Sequence, residues 1–283
     1  MLEGKTVAVT GTTGGIGREL CSYIASLGAS LILMDRNAKR STAFKDELIA
    51  RFPDVSVECI NLELESIESV RSATEELKTR EIYAFIHNAG AYFIPRRKCD
   101  TGYDNVFQIN FVSPYYIIRE LLPKLRDAGG RAVVVGSIAH NYSKTDPDDV
   151  DFSTRVKASH VYGNAKRYLM FALLKLFETE GEAALSVTHP GITFTNITAH
   201  YPKVIYAIIK HPMKVIFMKP RRAALSVLSG LFREPSAARP EWIGPRYFDV
   251  WGIPKTKKLR SASEEERARI FATAEEIYGE LKK

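Results

Sequence analysis

A short apolar run, Thr6–Thr10, passes without a spacer into Gly11-Thr-Thr-Gly14-Gly15-Ile-Gly17 and then into a helical pattern over 15–27, which Gly28 ends. No other feature restricts the fold so tightly. Glycines at a strand-to-helix junction permit a tight turn and a close approach of backbone to a ligand. The first N–H groups of the following helix then face outward at the positive end of its dipole, which suits an anion. The rest of the chain repeats the strand-then-helix rhythm. Apolar runs at 31–35, 56–60, 83–87, 131–135 and 184–189 alternate with helical stretches, among them 104–126 and 160–178. A shorter run at 247–250 reads as a seventh strand. Such alternation builds βαβ units and a parallel sheet.

The expected fold is therefore α/β: a single-domain Rossmann-type three-layer αβα sandwich with a doubly wound parallel sheet. At 283 residues and 45% hydrophobic content the chain can bury a core without disulfides or a structural metal. Cys21, Cys59 and Cys99 are odd in number and lack metal-ligand spacing, so they read as reduced thiols. No metal site is expected. No internal repeat or Pro/Gly-rich linker divides residues 1–283. The most apolar stretch, 204–218, is interrupted by Lys210, His211, Pro212 and Lys214, which excludes a spanning helix. The strand-like start at Lys5 argues against a signal peptide, and the chain reads as cytoplasmic. The net charge of +7 is spread without a basic block, so no nucleic-acid partner is expected.

An acid at the end of the second strand suits the ribose 2′-hydroxyl of an adenine dinucleotide, and Asp35 stands there. Arg36 follows and could pair with a 2′-phosphate. NAD is the preferred reading, with NADP as the alternative. Further along come Asn61-Leu62, Asn88-Ala89-Gly90, Asn110, Ser137, Tyr162-Gly-Asn-Ala-Lys166 and Pro190-Gly191-Ile192-Thr-Phe-Thr195. In this order, and with the Gly11-x-x-x-Gly15-x-Gly17 spacing, they resemble the short-chain dehydrogenase/reductase family over nearly the whole chain. Two details, the long interval from Ser137 to Tyr162 and His189-Pro190-Gly191, look like its retinol-dehydrogenase-like and hydroxysteroid-dehydrogenase-like branch.

The resemblance implies an oxidoreductase that interconverts an alcohol and a carbonyl by hydride transfer. Gly11, Thr13, Gly14, Gly15, Ile16 and Gly17 would cradle the pyrophosphate. Asn61 and Leu62 would meet adenine, and Asn88, Ala89 and Gly90 would line the dinucleotide. Pro190, Gly191, Ile192 and Thr195 would hold the nicotinamide amide. Tyr162 would be the acid/base, Ser137 would orient the substrate oxygen, and Asn110 would hold a water of the proton relay. Lys166 would bind the nicotinamide ribose. Residues four apart share a helix face, so its cation is also expected to lower the Tyr162 pKa.

The segment at about 196–220 reads as a substrate lid, and its apolar side chains suggest a lipophilic, steroid-like or retinoid-like substrate. Its lysines also suggest a peripheral membrane contact. Residues at about 263–281 form an amphipathic terminal helix, opened by a capping box of Ser263 and Glu266. The family resemblance implies a homo-oligomer. The rival from another class is a catalytically silent nucleotide sensor of the same fold. It would lose part of the set Asn110, Ser137, Tyr162 and Lys166, all of which are present.

Overall fold

The computed structural model describes residues 2–181, 183–192, 218–234, 240–260 and 262–283. Among them the strands are β1 (Thr6–Thr10), β2 (Ser30–Asp35), β3 (Val57–Asn61), β4 (Ala84–His87), β5 (Arg131–Val135), β6 (Ala184–Thr188), β7 (Glu241–Tyr247) and β8 (Trp251–Lys258). The helices are α1 (Gly15–Ser26), α2 (Ala38–Arg51), α3 (Ile67–Lys78), α4 (Asn105–Phe107), α5 (Ser113–Asp127), α6 (Ala158–Glu180), α7 (Pro220–Ser229) and α8 (Glu264–Leu281). One sheet runs in the order β3-β2-β1-β4-β5-β6-β7-β8.

Strand residues alternate between two buried faces, which is why the strand runs read as continuously apolar. Val7, Val9, Leu31 and Leu33 pack with Leu20 and Ile24 of α1, Phe44 of α2 and Val227 of α7. Ala8, Ile32 and Met34 pack on the other face with Val70 of α3, Leu121 of α5, Phe171 of α6 and Ile270 of α8. The three-layer arrangement follows. The chain winds outward from β1 through β2 to β3 and returns to β4 on the other side of β1. That reversal opens a crevice at the carboxyl ends of β1 and β4, where α/β sheets bind ligands.

Three sequence expectations are corrected here. The strand at 247–250 is instead the turn of a hairpin: β7 pairs parallel with β6 through Ile243 and Thr188, and β8 returns antiparallel. Phe248 and Asp249, both at positive φ, break the extended backbone. The helix at 104–126 is interrupted by a π turn, Gln108–Val112, where the Ser113 N–H reaches back to the Gln108 carbonyl. Pro114 has no N–H to offer the Asn110 carbonyl four residues earlier, which removes one rung of the α-helical ladder beside the π turn. At the terminus, Ser263 caps α8 by accepting from the Glu266 N–H. The Glu266 carboxylate does not complete the box but turns to Arg167, as described below.

The proposed lid at 196–220 lies outside the described residues up to 217, and Pro220 already opens α7. Thr195 also lies outside them. Among the described residues, no helix is long and apolar enough to cross a membrane. None of their His, Cys, Asp and Glu side chains cluster in threes around a metal-sized space.

Candidate active site

The glycine-rich turn sits at the mouth of the crevice. Gly11 adopts φ +71°, and a Cβ there would lie 2.9 Å from Ala89 Cα, so β1 and the 88–90 loop touch through glycine. A Cβ on Gly17 would fall 2.1 Å from the Gly11 carbonyl oxygen. A Cβ on Gly14 would meet nothing within 4 Å. Gly14 is the N-cap of α1, makes no side-chain cap bond, and the first turn carries no acid. Open space over an uncapped helix N-terminus fits a pyrophosphate. Ile16 packs into the core beneath the turn.

Asp35 lies 6% exposed, with both oxygens engaged by this turn and by α2. Oδ1 accepts from the Thr13 N–H (3.2 Å) and the Thr13 hydroxyl (3.3 Å). Oδ2 accepts from the hydroxyls of Thr12 and Ser41. The carboxylate thus braces the turn, whereas Arg36 is exposed. The Asn61 amide, oriented to donate, spans the Asp35 and Arg36 carbonyls at 3.1 and 3.2 Å. Leu62 offers only backbone, because its side chain is buried in the core.

Beyond β4, Asn88 Nδ2 donates to the Thr10 and Gly11 carbonyls at 3.1 and 3.0 Å. Thr10 was not singled out from sequence, yet its hydroxyl oxygen accepts from the N–H groups of both Asn88 (3.1 Å) and Ala89 (3.0 Å). Its own proton is then free for His87 Nδ1 at 3.2 Å. The signal for this residue was a polar side chain at the end of an apolar strand. Asn110, inside the π turn, pins the adjoining loop: Nδ2 donates to Ala91 O and Val106 O, and Oδ1 accepts from the Ala91 N–H. A Cβ on Gly90 would lie 2.9 Å from Asn110 Oδ1 and 3.7 Å from Lys166 Nζ.

Ser137 follows β5; its hydroxyl oxygen accepts from the Ala139 N–H at 3.2 Å and lies beside the Tyr162 side chain. Tyr162 is half-buried on α6, with Tyr92 edge-on to it at 5.2 Å and 66°. Burial and the neighbouring Tyr92 push its pKa up to about 12, against a lowering by Ser137. Lys166 is 1% exposed, and its Nζ donates to the Val135 carbonyl at 2.8 Å. Burial lowers this ammonium to about 7. Lys166 does share the Tyr162 face, with Nζ 5.8 Å from the ring centroid. The expected depression of Tyr162 by Lys166 is absent from this arrangement, because desolvation acts on both groups and favours their neutral forms.

Pro190 and Gly191 follow β6 and lie against the β7–β8 hairpin. Gly191 has φ +83°, and a Cβ there would lie 2.8 Å from the Val250 carbonyl oxygen of the hairpin turn. Ile192 is partly exposed, and its carbonyl accepts from the Met218 N–H at 3.0 Å.

Sequence reasoning also missed a buried clamp behind the site. Arg167, next to Lys166, makes a two-pronged ion pair with Glu266 of α8, at 2.8 and 2.7 Å. Its third nitrogen donates to the His140 carbonyl at 3.0 Å, and Thr145 donates to the same carboxylate. His140 Nδ1 in turn contacts the Ser137 carbonyl at 2.6 Å. A charged residue directly after Lys166 on a buried helix was the available signal.

A family description, short chain dehydrogenase, matches residues 5–146. The chain is 30% identical over 210 residues to the chloroplastic short-chain dehydrogenase TIC 32 A of Brassica napus, covering 69% of this chain and 66% of that one. It is 29% identical over 203 residues to retinol dehydrogenase 12 of Mus musculus, covering 70% of this chain and 64% of that one. The chain thus spans just under two thirds of the length of these curated relatives. Among solved structures, it resembles an alcohol dehydrogenase from the archaeon Thermococcus sibiricus complexed with 5-hydroxy-NADP. The TM-score is 0.63 at 21% identity, with 83% of this chain and 93% of that one covered. With the family match over residues 5–146 agreeing with the sheet order and the turn geometry, the chain belongs to the short chain dehydrogenase family.

Proposed function

We infer that this protein is an NAD(P)-dependent oxidoreductase that interconverts an alcohol and a carbonyl on a lipophilic substrate. The observation that carries the reading is Tyr162 and Lys166 on one face of α6, with Ser137 beside the phenol, next to an open, uncapped helix N-terminus at Gly14. When bound, the dinucleotide supplies or accepts the hydride. Tyr162 gives or takes the proton at the substrate oxygen. Ser137 donates its one hydroxyl proton to the same oxygen, which stabilises charge developing there. Lys166, tethered to Val135 O at the end of β5, stands between Tyr162 and the Gly90 loop that Asn110 fixes. Pro190, Gly191 and Ile192, with Thr195, would hold the nicotinamide side.

Asp35 is saturated by Thr12, Thr13 and Ser41, which leaves Arg36 as the exposed charge at this end of β2. That supports use of NADP as well as the NAD preferred from sequence. The lipophilic substrate is supported by Tyr92 facing Tyr162 and by the apolar composition of residues 196–218.

The deciding experiment follows nicotinamide absorbance over a panel of lipophilic ketones and alcohols, with wild type and Tyr162→Phe. Turnover by wild type, reduced at least ~100-fold in the variant, is the expected result. Equal rates would overturn the role of Tyr162. Dinucleotide binding without turnover of any panel member would favour the sensor.

A further inference from the structure

The β7–β8 hairpin carries a group of apolar side chains that the core does not use. Phe248 is 84% exposed, Ile253 67% and Tyr247 55%. Trp251 lies edge-on to Phe248, with centroids 6.4 Å apart. The turn between the strands is closed by the Val250 N–H to the Tyr247 carbonyl, and both central residues, Phe248 (φ 51°) and Asp249 (φ 58°), are left-handed. Such positions favour Gly, Asn or Asp. An aromatic residue there strains the backbone and presents its ring largely to solvent, where among the described residues its ring partner is Trp251.

Charge surrounds this apolar tip in one sign. The hairpin's two acids are neutralised locally, Glu241 by Arg233 and Asp249 by Lys257. Arg246, Lys255, Lys258 and Arg260 are exposed, with no carboxylate partner among the described residues. Side chains two apart on a strand share a face, so Trp251, Ile253 and Lys255 form a row in which the cation stands roughly 7 Å behind the last apolar group. An apolar edge that sinks about 5–10 Å, backed by lysines, matches the boundary between lipid tails and anionic headgroups. Pairing of β8 with a second copy is disfavoured by Pro254, by the lysines and by the register shift between Pro245 and Tyr247.

The hairpin also sits directly on the candidate active site. His189 Nε2 donates to the Asp249 carbonyl at 3.1 Å, and the Val250 carbonyl lies against Gly191. We propose that the β7–β8 hairpin docks on an anionic lipid bilayer and seats the Pro190–Gly191 side of the cleft at the membrane surface. The biological purpose rests on the reading of a lipophilic substrate, delivered from the bilayer. The physical claim is tested without turnover, so either can fail alone.

The chain has two tryptophans, and Trp242 is buried at 5% exposure, so Trp251 is a built-in reporter. The full chain is titrated with phosphatidylcholine vesicles, with and without phosphatidylserine, following tryptophan emission, quenching by brominated lipid and co-sedimentation. The expected result is a blue shift and quenching with phosphatidylserine vesicles. Phe248→Ser with Ile253→Ser should weaken partitioning on the order of 100-fold, from loss of two inserted apolar groups. Lys255→Glu with Lys258→Glu should weaken it at least ~10-fold on anionic vesicles. All four positions are exposed, and near-ultraviolet circular dichroism verifies that the variants stay folded. The proposal is overturned by no vesicle binding, or by binding that the apolar pair of substitutions leaves unchanged. It is equally overturned if the apolar pair abolishes a concentration-dependent dimer while vesicles have no effect.

Discussion

Replacing Glu266 should weaken both the fold and the proposed chemistry, although it lies on the terminal helix and touches none of the reacting groups. Its side chain and that of Arg167 are each 9% exposed. Arg167 makes two bonds to the carboxylate and one to the His140 carbonyl. In Glu266→Ala the guanidinium keeps only the His140 bond, and its charge stays buried without a counter-ion. Breaking a buried ion pair from one side costs about 3–5 kcal/mol. The retained carbonyl bond places this case at the lower end, at about 3 kcal/mol. Replacing both partners, Arg167→Leu with Glu266→Leu, removes the stranded charge and should recover most of that loss. Urea denaturation followed by circular dichroism on wild type, Arg167→Leu, Glu266→Leu and the double variant gives the coupling energy. Because Arg167 and Thr145 hold the segment whose His140 contacts Ser137, Glu266→Ala should also lower kcat more than it raises the KM for dinucleotide. The Arg167 charge depresses the Glu266 pKa. The pair's contribution is therefore full above the ordinary glutamate value of about 4.3 and is lost as pH falls through the lower folded value. A cost below ~1 kcal/mol, or a double variant as unstable as the two single losses summed, would refute the reasoning.

Other consequences are equally direct. Arg36→Ala should reduce kcat/KM for NADPH by at least about 10-fold while leaving NADH use nearly unchanged, because only the 2′-phosphate meets that charge; steady-state kinetics with both cofactors reads the difference. Gly17→Ala places a methyl group 2.1 Å from the Gly11 carbonyl and should cost about 1–3 kcal/mol, together with dinucleotide affinity, measured by thermal melts and fluorescence titration. With Tyr162 held protonated up to about 12, kcat/KM for carbonyl reduction should stay level in pH from 7.5 to 9, while alcohol oxidation should rise with pH across the same range.

The parts of the fold that were legible from sequence are those in which one residue serves one local rule. Apolar strands, the glycine turn, the Gly28 stop and the Ser263 cap each follow from backbone preference or burial of a face. The failures share a different cause. At 247–250, a run that satisfies strand periodicity turns instead at Phe248 and Asp249; Asp tolerates positive φ, but Phe248 gives no such signal. At Gln108–Val112, the helix period was correct, but Pro114 acts four residues upstream of itself and opens the ladder at Asn110. Glu266 fits the spacing of a capping box, yet a buried guanidinium from a residue far away in sequence outcompetes the local backbone N–H. Asp35 shows the same principle at the site. Its position was evident, but four donors from Thr12, Thr13 and Ser41 make it a brace between the turn and α2.

The catalytic helix shows why residue spacing alone does not determine proton chemistry. Tyr162 and Lys166 share a face, yet Lys166 is sealed from solvent and spends its donor on the Val135 carbonyl. Desolvation opposes charge on each group, so a neutral phenol is the resting form at neutral pH. A neutral phenol already carries the proton that carbonyl reduction consumes, whereas alcohol oxidation must first strip it. Ser137 pulls the other way: its hydroxyl beside Tyr162 lowers the pKa and shrinks the cost of phenolate. Ser137 is held in turn by the segment that Arg167 and Glu266 fix from behind. The clamp on α8 therefore acts on the position of the one neighbour that favours ionisation, which connects a terminal helix to the direction in which the site most readily moves a proton.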